Sequence, residues 1–289
     1  MNKLKTAVMT DTNSGITVEE GGRDIHVIPM PVIVDSTDYL EGVDITYREL
    51  FAAMREGKDI KSSQPSIGPV ASMWDKLLEE YDEVVYIPMS SGLSGSYATA
   101  AQFAKEYGGK VEVVDNHRIS VTLYESVYDA LCLAKQGCSA AEIKTRIEKN
   151  AYQSSIYISV NSLEYLKKSG RVTAAGAMIA TAINLKPVLT IQGEKLDAYA
   201  KARGMKQAER KMIEAAKKDV TERFAQFPPE RIRIGAAGTF EKKEDAKRWE
   251  EMLREAFPEH EVYYIPLSCS IACHVGLDAA GMGISVIDR

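Results

Sequence analysis

Residues 86–97, Tyr-Ile-Pro-Met-Ser-Ser-Gly-Leu-Ser-Gly-Ser-Tyr, join an apolar run to a helical pattern through a cluster of small and hydroxyl side chains. Val84 to Met89 reads as a short buried strand, and Ala98, Ala100, Ala101, Phe103 and Ala104 open the apolar face of a helix running from Tyr97 to Tyr107. Such a strand-to-helix turn leaves first-turn N–H groups without intrahelical partners and sets the positive end of the peptide dipoles beside them. Glycines at 92 and 95 let a ligand come close to the main chain. The turn is therefore a candidate site for a carboxylate or phosphate. Its plainer reading is a serine-capped helix with no ligand.

A catalytic reading competes with both. Gly92-Leu93-Ser94-Gly95-Ser96 comes close to the Gly-x-Ser-x-Gly elbow of acyl hydrolases, and Ser94, Asp115 and His274 would supply a triad in that chain order. Ser96 stands where the elbow needs its last glycine, which favours a relaxed, capped turn over a strained nucleophilic one.

The rest of the chain sets that turn in a β-α framework. Thr6 to Met9 is a strand ending in the polar turn Thr10-Asp11-Thr12-Asn13-Ser14-Gly15, where Asp11 or Thr12 caps the next segment. In a parallel sheet this turn should lie beside the one at Ser94, on the edge where ligands bind. His26 to Val34 is a proline-interrupted β run, and Tyr39 to Thr46 turns the chain. Thr46 with Glu49 makes a capping box for a helix ending near Gly57. Lys61-Ser-Ser-Gln-Pro-Ser66 reads as a hydroxyl-rich loop whose Ser66 caps the helix through Val70, Trp74 and Leu77. A strand at Val111 to Val114, a long helix through Val121 to Leu133 and a helix begun by the Ser139/Glu142 box complete an N-terminal α/β domain, residues 1–153.

From Ser155 the pattern changes. A strand at Ser155 to Val160, a short helix at Leu163 to Lys168, a hairpin from Pro187 to Ala202, helices at Met205 to Phe224 and Glu241 to Phe257, and strands at Arg231 to Ala237 and Val262 to Leu267 predict an α+β domain, residues 154–289, with mostly antiparallel strands.

At 289 residues the chain is long enough for two cores, and a formal charge of -5 argues against a nucleic-acid or anionic-membrane surface. The N-terminal residues lead straight into a strand pattern and no stretch is long enough to span a bilayer, so a cytoplasmic location is expected. Cys132, Cys138, Cys269 and Cys273 form no secreted disulfide pattern. Cys269-x3-Cys273-His274 lacks the paired spacing of a zinc site, so no metal is expected. The chain has no Gly-x-x-x-x-Gly-Lys-Ser/Thr loop, so any ATP chemistry would need a partner.

Taken together, Thr10-Asp11-Thr12, Tyr39-x-x-Gly42, Lys61-Ser-Ser-Gln-Pro-Ser66, Ser90-Ser-Gly-Leu-Ser-Gly95, Leu163-x-x-Leu166-Lys-Lys-x-Gly-Arg171, Lys186-Pro187 and His274 resemble the DegV family nearly end to end. The resemblance implies a two-domain lipid-binding protein without catalytic residues or cofactors of its own. It would present a long-chain fatty acid to the ATP-binding subunit of a fatty acid kinase, with room for transient membrane contact. It also implies a carboxylate held by the Ser62 and Ser94 hydroxyls, the Gly95 N–H and His274. The tail would run along the region of Ile179, Ala180, Ala182 and Ile183. Arg171 and Arg203, each in or after a small basic loop, are expected to face the partner, the plainer reading being solvated surface arginines.

Several positions depart from the family pattern. Ser62 stands in place of the usual threonine, Ser169 replaces a glycine, and Asn116 and Ile119-Ser120-Val121 replace smaller residues. The C-terminal loop reads His274-Val-Gly276-Leu277-Asp278-Ala279, which is expected to bring Asp278 beside the head group, where an acid repels a carboxylate or holds His274 protonated.

Overall fold

A computed structural model describes residues 4–22, 24–178 and 185–289. The Ile179 to Ile183 segment expected to line the tail lies outside the described residues.

Strands β1 (Thr6–Asp11), β2 (Ile25–Ile28), β6 (Glu83–Ile87) and β7 (Val111–Val113) form a parallel sheet in the order β2-β1-β6-β7. A small antiparallel sheet, β4-β3-β5, joins β3 (Pro31–Val34), β4 (Thr37–Leu40) and β5 (Ile60–Ser62). Around these run α1 (Val18–Gly21), α2 (Tyr47–Arg55), α3 (Ile67–Leu77), α4 (Ser96–Ala104), α5 (Val121–Gln136) and α6 (Ala140–Lys149). The capping boxes at Thr46/Glu49 and Ser139/Glu142 are both formed. Ser66 departs from expectation: it occupies the N-cap of α3 but its side chain makes no capping hydrogen bond. The segments read as a turn at 39–46 and a loop at 61–66 begin inside β4 and β5 respectively, because β3 offers both of its edges for pairing and places Ser62 opposite Val32.

The second region holds β8 (Ser154–Ser159), α7 (Glu164–Ser169), α8 (Ala174–Met178), β9 (Leu185–Ile191), β10 (Asp197–Arg203), α9 (Met205–Lys218), β11 (Ile232–Gly238), α10 (Lys243–Ala256), β12 (Glu261–Pro266), α11 (Cys269–Val275) and β13 (Ala280–Val286). Its sheet runs β10-β9-β8-β13-β11-β12, antiparallel except where β11 pairs with β12. The fold is thus mixed α/β, a parallel-sheet region followed by an α+β region, as predicted. Sequence reading assigned no element after Leu267, yet α11 and β13 lie there.

The two regions share cores. One apolar cluster combines Val8, Val85 and Ile87 of the parallel sheet with Ile158, Leu189 and Ala237 of the other. Another packs Leu50, Phe51 and Val32 against Cys269, Ala272 and Cys273 of α11. Glycines 235 and 283 admit the N-terminal turn of α5: a Cβ at either would approach Val121 side-chain carbons to 2.4 and 2.6 Å, respectively. No helix among the described residues is long and apolar enough to cross a membrane.

Candidate functional site

The parallel register brings the carboxyl ends of β1 and β6 side by side. Asp11 ends β1, and its carboxylate accepts hydrogen bonds from Asn13 N at 2.9 Å and Met89 N at 3.0 Å, so it ties the first polar turn to the start of the serine-rich one. Burial pushes the Asp11 carboxyl up to about 6, against the pull of those two N–H donors.

Next to this seam, α11 is held from across the molecule. Glu41 accepts from Cys269 N at 2.5 Å, from Ser270 N at 3.4 Å and from the Thr12 hydroxyl at 2.8 Å, which places a carboxylate on the N-terminal end of the helix. Burial raises its pKa above the usual carboxylate value. Tyr47 O–H donates to the Leu267 carbonyl just before α11. These contacts fix the helix that carries His274.

Between the sheets lies a cavity with about 860 Å³ of empty space, counting its open mouth. Leu93, Ile119, Val121, Ile156, Ile158, Ile191, Leu196, Ala237 and Met282 line its apolar walls, whereas Ser62, Ser63, Gln64, Ser94, Arg171 and His274 form a polar end. Ser62 reaches that end from the last residue of β5, Ser94 from the turn before α4, and His274 from the last turn of α11. Three of the four residues expected to hold a carboxylate, Ser62, Ser94 and His274, thus line this one cavity. Gly95 is not part of the lining: it takes the N-cap position of α4, is exposed, and a Cβ there would meet Gln64 Oε1 at 2.5 Å.

His274 Nε2 lies 2.7 Å from Ser62 Oγ, and its Nδ1 is buried with no hydrogen-bond partner among the described residues. Burial, and then the positive charge of Arg171, holds its pKa down to about 4, so the imidazole is neutral at pH 7. Ser94 Oγ pairs with Ser96 Oγ at 2.8 Å and accepts from Ser96 N at 3.2 Å. The serine that spoils the hydrolase elbow is thus the one that holds Ser94.

The triad Ser94, Asp115 and His274 is not assembled. His274 engages Ser62 instead, and Asp115 accepts from Ser91 N at 3.2 Å and sits 3.8 Å from His117. Asp278, expected beside His274 in the site, is not among the residues lining the cavity: its carboxylate accepts from Glu241 N, and it sits at φ 52 in the turn that leads into β13. Arg171 is half-buried in the wall, with its guanidinium donating to Ser169 O, while Arg203 is exposed at the end of β10. Outside the mouth, Lys61 and Lys168 both donate to Asp59, and this, led by Lys168, pulls its carboxyl down to about 2.

Cys269 and Cys273 lie one turn apart in α11, their thiols pushed far up by burial and then by Glu41. No group of three metal-ligating side chains occurs among the described residues. Sequence reading missed Glu41, Gln64, Asn13, Ser120 and Ser270 as site residues. Glu41 sat within the quoted Tyr39-x-x-Gly42 pattern and Asn13 within the polar turn, but their partners are up to 257 residues away.

A protein-family model described as "Uncharacterised protein, DegV family" matches residues 5–286. A DegV domain-containing protein of Deinococcus radiodurans is 32% identical over 221 residues, covering 76% of this chain and 79% of its own. A DegV domain-containing protein of Staphylococcus aureus is 28% identical over 279 residues, 96% of this chain and 98% of its own. Among solved structures, a DegV family protein from Thermus thermophilus described by its fatty acid binding superposes with a TM-score of 0.86 at 29% identity, over 98% of this chain and 100% of its own.

Proposed function

The chain belongs to the DegV family, and from that membership we propose that it binds a long-chain fatty acid, with the carboxylate at the serine- and histidine-lined end of the cavity and the tail along its aliphatic walls. The observation that carries this reading is one cavity in which hydroxyls, an imidazole and a guanidinium gather around the Ser62–His274 pair while most of the remaining lining is aliphatic. Hydroxyl donors and the Arg171 guanidinium offset the cost of removing a carboxylate from water, a cost that would otherwise exclude it. The Gly95 N–H at the start of α4 adds a donor if the wall shifts toward the ligand. The fatty acid binding of the Thermus thermophilus relative supports the same reading.

In this proposal residues 1–153 supply Ser62 and Ser94, while residues 154–289 cover the tail and lend Arg171 and His274 to the head group. The chain performs no chemistry itself and presents the acid to a separate ATP-dependent kinase in the cytoplasm for acyl-phosphate formation, with Arg203 and the outer side of Arg171 toward that partner. The weak basicity of His274 and its engagement with Ser62 support a binding role over an acyl-hydrolase role. Native mass spectrometry of the purified protein, with extraction of any bound lipid, tests the proposal: one long-chain carboxylic acid per chain is expected. Ligand-free protein that also takes up no added fatty acid would overturn it.

A further inference from the structure

We propose that the tail tunnel contains a second polar subsite, formed by Ser120 at the N-terminus of α5, which selects an acyl chain carrying a hydroxyl or oxo oxygen. This rests on reading the cavity as a fatty-acid site. Ser120 lines the cavity, is only 6% exposed, and its Oγ is buried with no hydrogen-bond partner among the described residues. It stands at the N-cap of the 16-residue α5 but makes no side-chain capping bond, so its hydroxyl and the first-turn N–H donors of the helix are gathered at one place.

The backbone holds that hydroxyl in position under strain. Ser120 has φ 55 and ψ -137, a conformation that suits glycine, and His117 in the same loop has φ 54. Four hydrogen bonds keep the loop there. Ser120 N donates to Asn13 O at 2.7 Å, Ser90 N donates to Arg118 O at 2.9 Å, and the buried Arg118 guanidinium donates to Ala151 O at 3.1 Å and Asn150 O at 2.5 Å. A strained residue whose buried donor is left unpaired points to a missing acceptor.

In the proposed complex Ser120 faces the acyl chain rather than the carboxylate, because it belongs to the Asn13 and Ser270 strip and not to the Ser62–His274 pair. Asn13 and Ser270 line the cavity beside Ser120, and Ser270 is one turn before His274 on α11, about 6 Å along the helix axis. Asn13 Oδ1 already accepts from the hydroxyls of both Ser268 and Ser270. Ser120 is therefore the group in this strip with capacity to spare. Its neighbours in the wall, Ile119, Val121, Ile158 and Ala237, are apolar, so a plain alkyl chain would leave the hydroxyl unsatisfied, whereas a chain oxygen at that depth would accept from it.

The test compares stearic acid with hydroxystearic acids that differ in hydroxyl position, by calorimetric titration of lipid-stripped full-length protein. Ser120→Gly removes the hydroxyl in a residue that takes this backbone without strain, and Ser120→Ala is its companion. At least one hydroxy isomer is expected to bind the wild type about ten-fold more tightly than either variant, with stearic acid affinity held or improved in the variants. Normal stearic acid binding without any Ser120-dependent hydroxy isomer would overturn the subsite, the hydroxyl then being served by water, and leave the fatty-acid reading standing. Failure of every acid to bind the wild type would overturn both.

Discussion

The two ends of the cavity are built by different means. The polar end is assembled from single side chains delivered by β5, the turn before α4, and α11, and the Ser62–His274 pair closes a gap of 212 residues. The apolar end consists of the inward faces of β8, β9 and β11, in which Ile156, Ile158, Ile191 and Ala237 serve at once as sheet core and tunnel wall. Position is fixed at the first end by hydrogen bonds that few substitutions can preserve. In the proposed complex, affinity is set at the second by area, to which many residues contribute a little each.

The comparison breaks most visibly if the tunnel is plugged. Ala237→Phe should displace about four methylenes of a long acyl chain, at about 0.8 kcal/mol each, and so weaken long-chain binding about a hundred-fold while short acids lose little. Fluorescent-probe displacement with acids of two lengths measures it. Equal losses for both lengths would mean that Ala237 does not face the tail.

Acidity offers a separate handle, since His274 pairs with Ser62 at the polar end and Asp11 lies beneath the turn that carries Asn13. His274 has an ordinary value of 6.5 and is held down to about 4, so the stability it contributes is present above pH 6.5 and lost as pH falls through 4. Asp11 has an ordinary value of 3.8 and is pushed up to about 6, so its contribution is present below pH 3.8 and lost as pH rises through 6. Each amounts to about 3 kcal/mol, with opposite slopes over the same interval. Relative to wild type, Asp11→Asn should lose stability on acidification from pH 6.5 to 4, and His274→Gln should gain it, as read by urea unfolding. Variants that track the wild type at every pH would contradict the burial assigned to both groups.

The polar end itself can be sharpened one hydroxyl at a time. If Ser94 donates to a carboxylate, Ser94→Ala should weaken fatty acid binding by about 1.5 to 3 kcal/mol with the fold intact. Ser62→Ala should cost less, because His274 remains beside the vacated position. A nucleophilic Ser94 would instead be labelled by a fluorophosphonate, and stoichiometric labelling would count against the binding role.

The same contrast explains what could be read from the residues alone. The capping boxes at Thr46/Glu49 and Ser139/Glu142 and the apolar run before Ser90 are local signals, and the structure contains each of them. Strand β5 was hidden because three residues beside Pro65 carry turn chemistry rather than a β pattern. Helix α11 and strand β13 were hidden because Cys-Ser-Ile-Ala-Cys-His is short and Ala-Gly-Met-Gly lacks branched side chains, so their burial comes only from the sheets around them. Ser62, Ser94 and His274 were legible as polar residues in motifs. The engagement of His274 with Ser62 rather than Ser94, and the support of α11 by Glu41, depend on tertiary placement that no spacing encodes.

The most direct test of a head that positions and a tail that binds is a chain-length series of saturated acids titrated into lipid-stripped protein. Binding free energy is predicted to grow by about 0.8 kcal/mol per methylene until the tunnel is full and then to level off, with the same increment in wild type and Ser94→Ala and only the intercept shifted. An affinity independent of chain length, or an increment that disappears with Ser94, would contradict it.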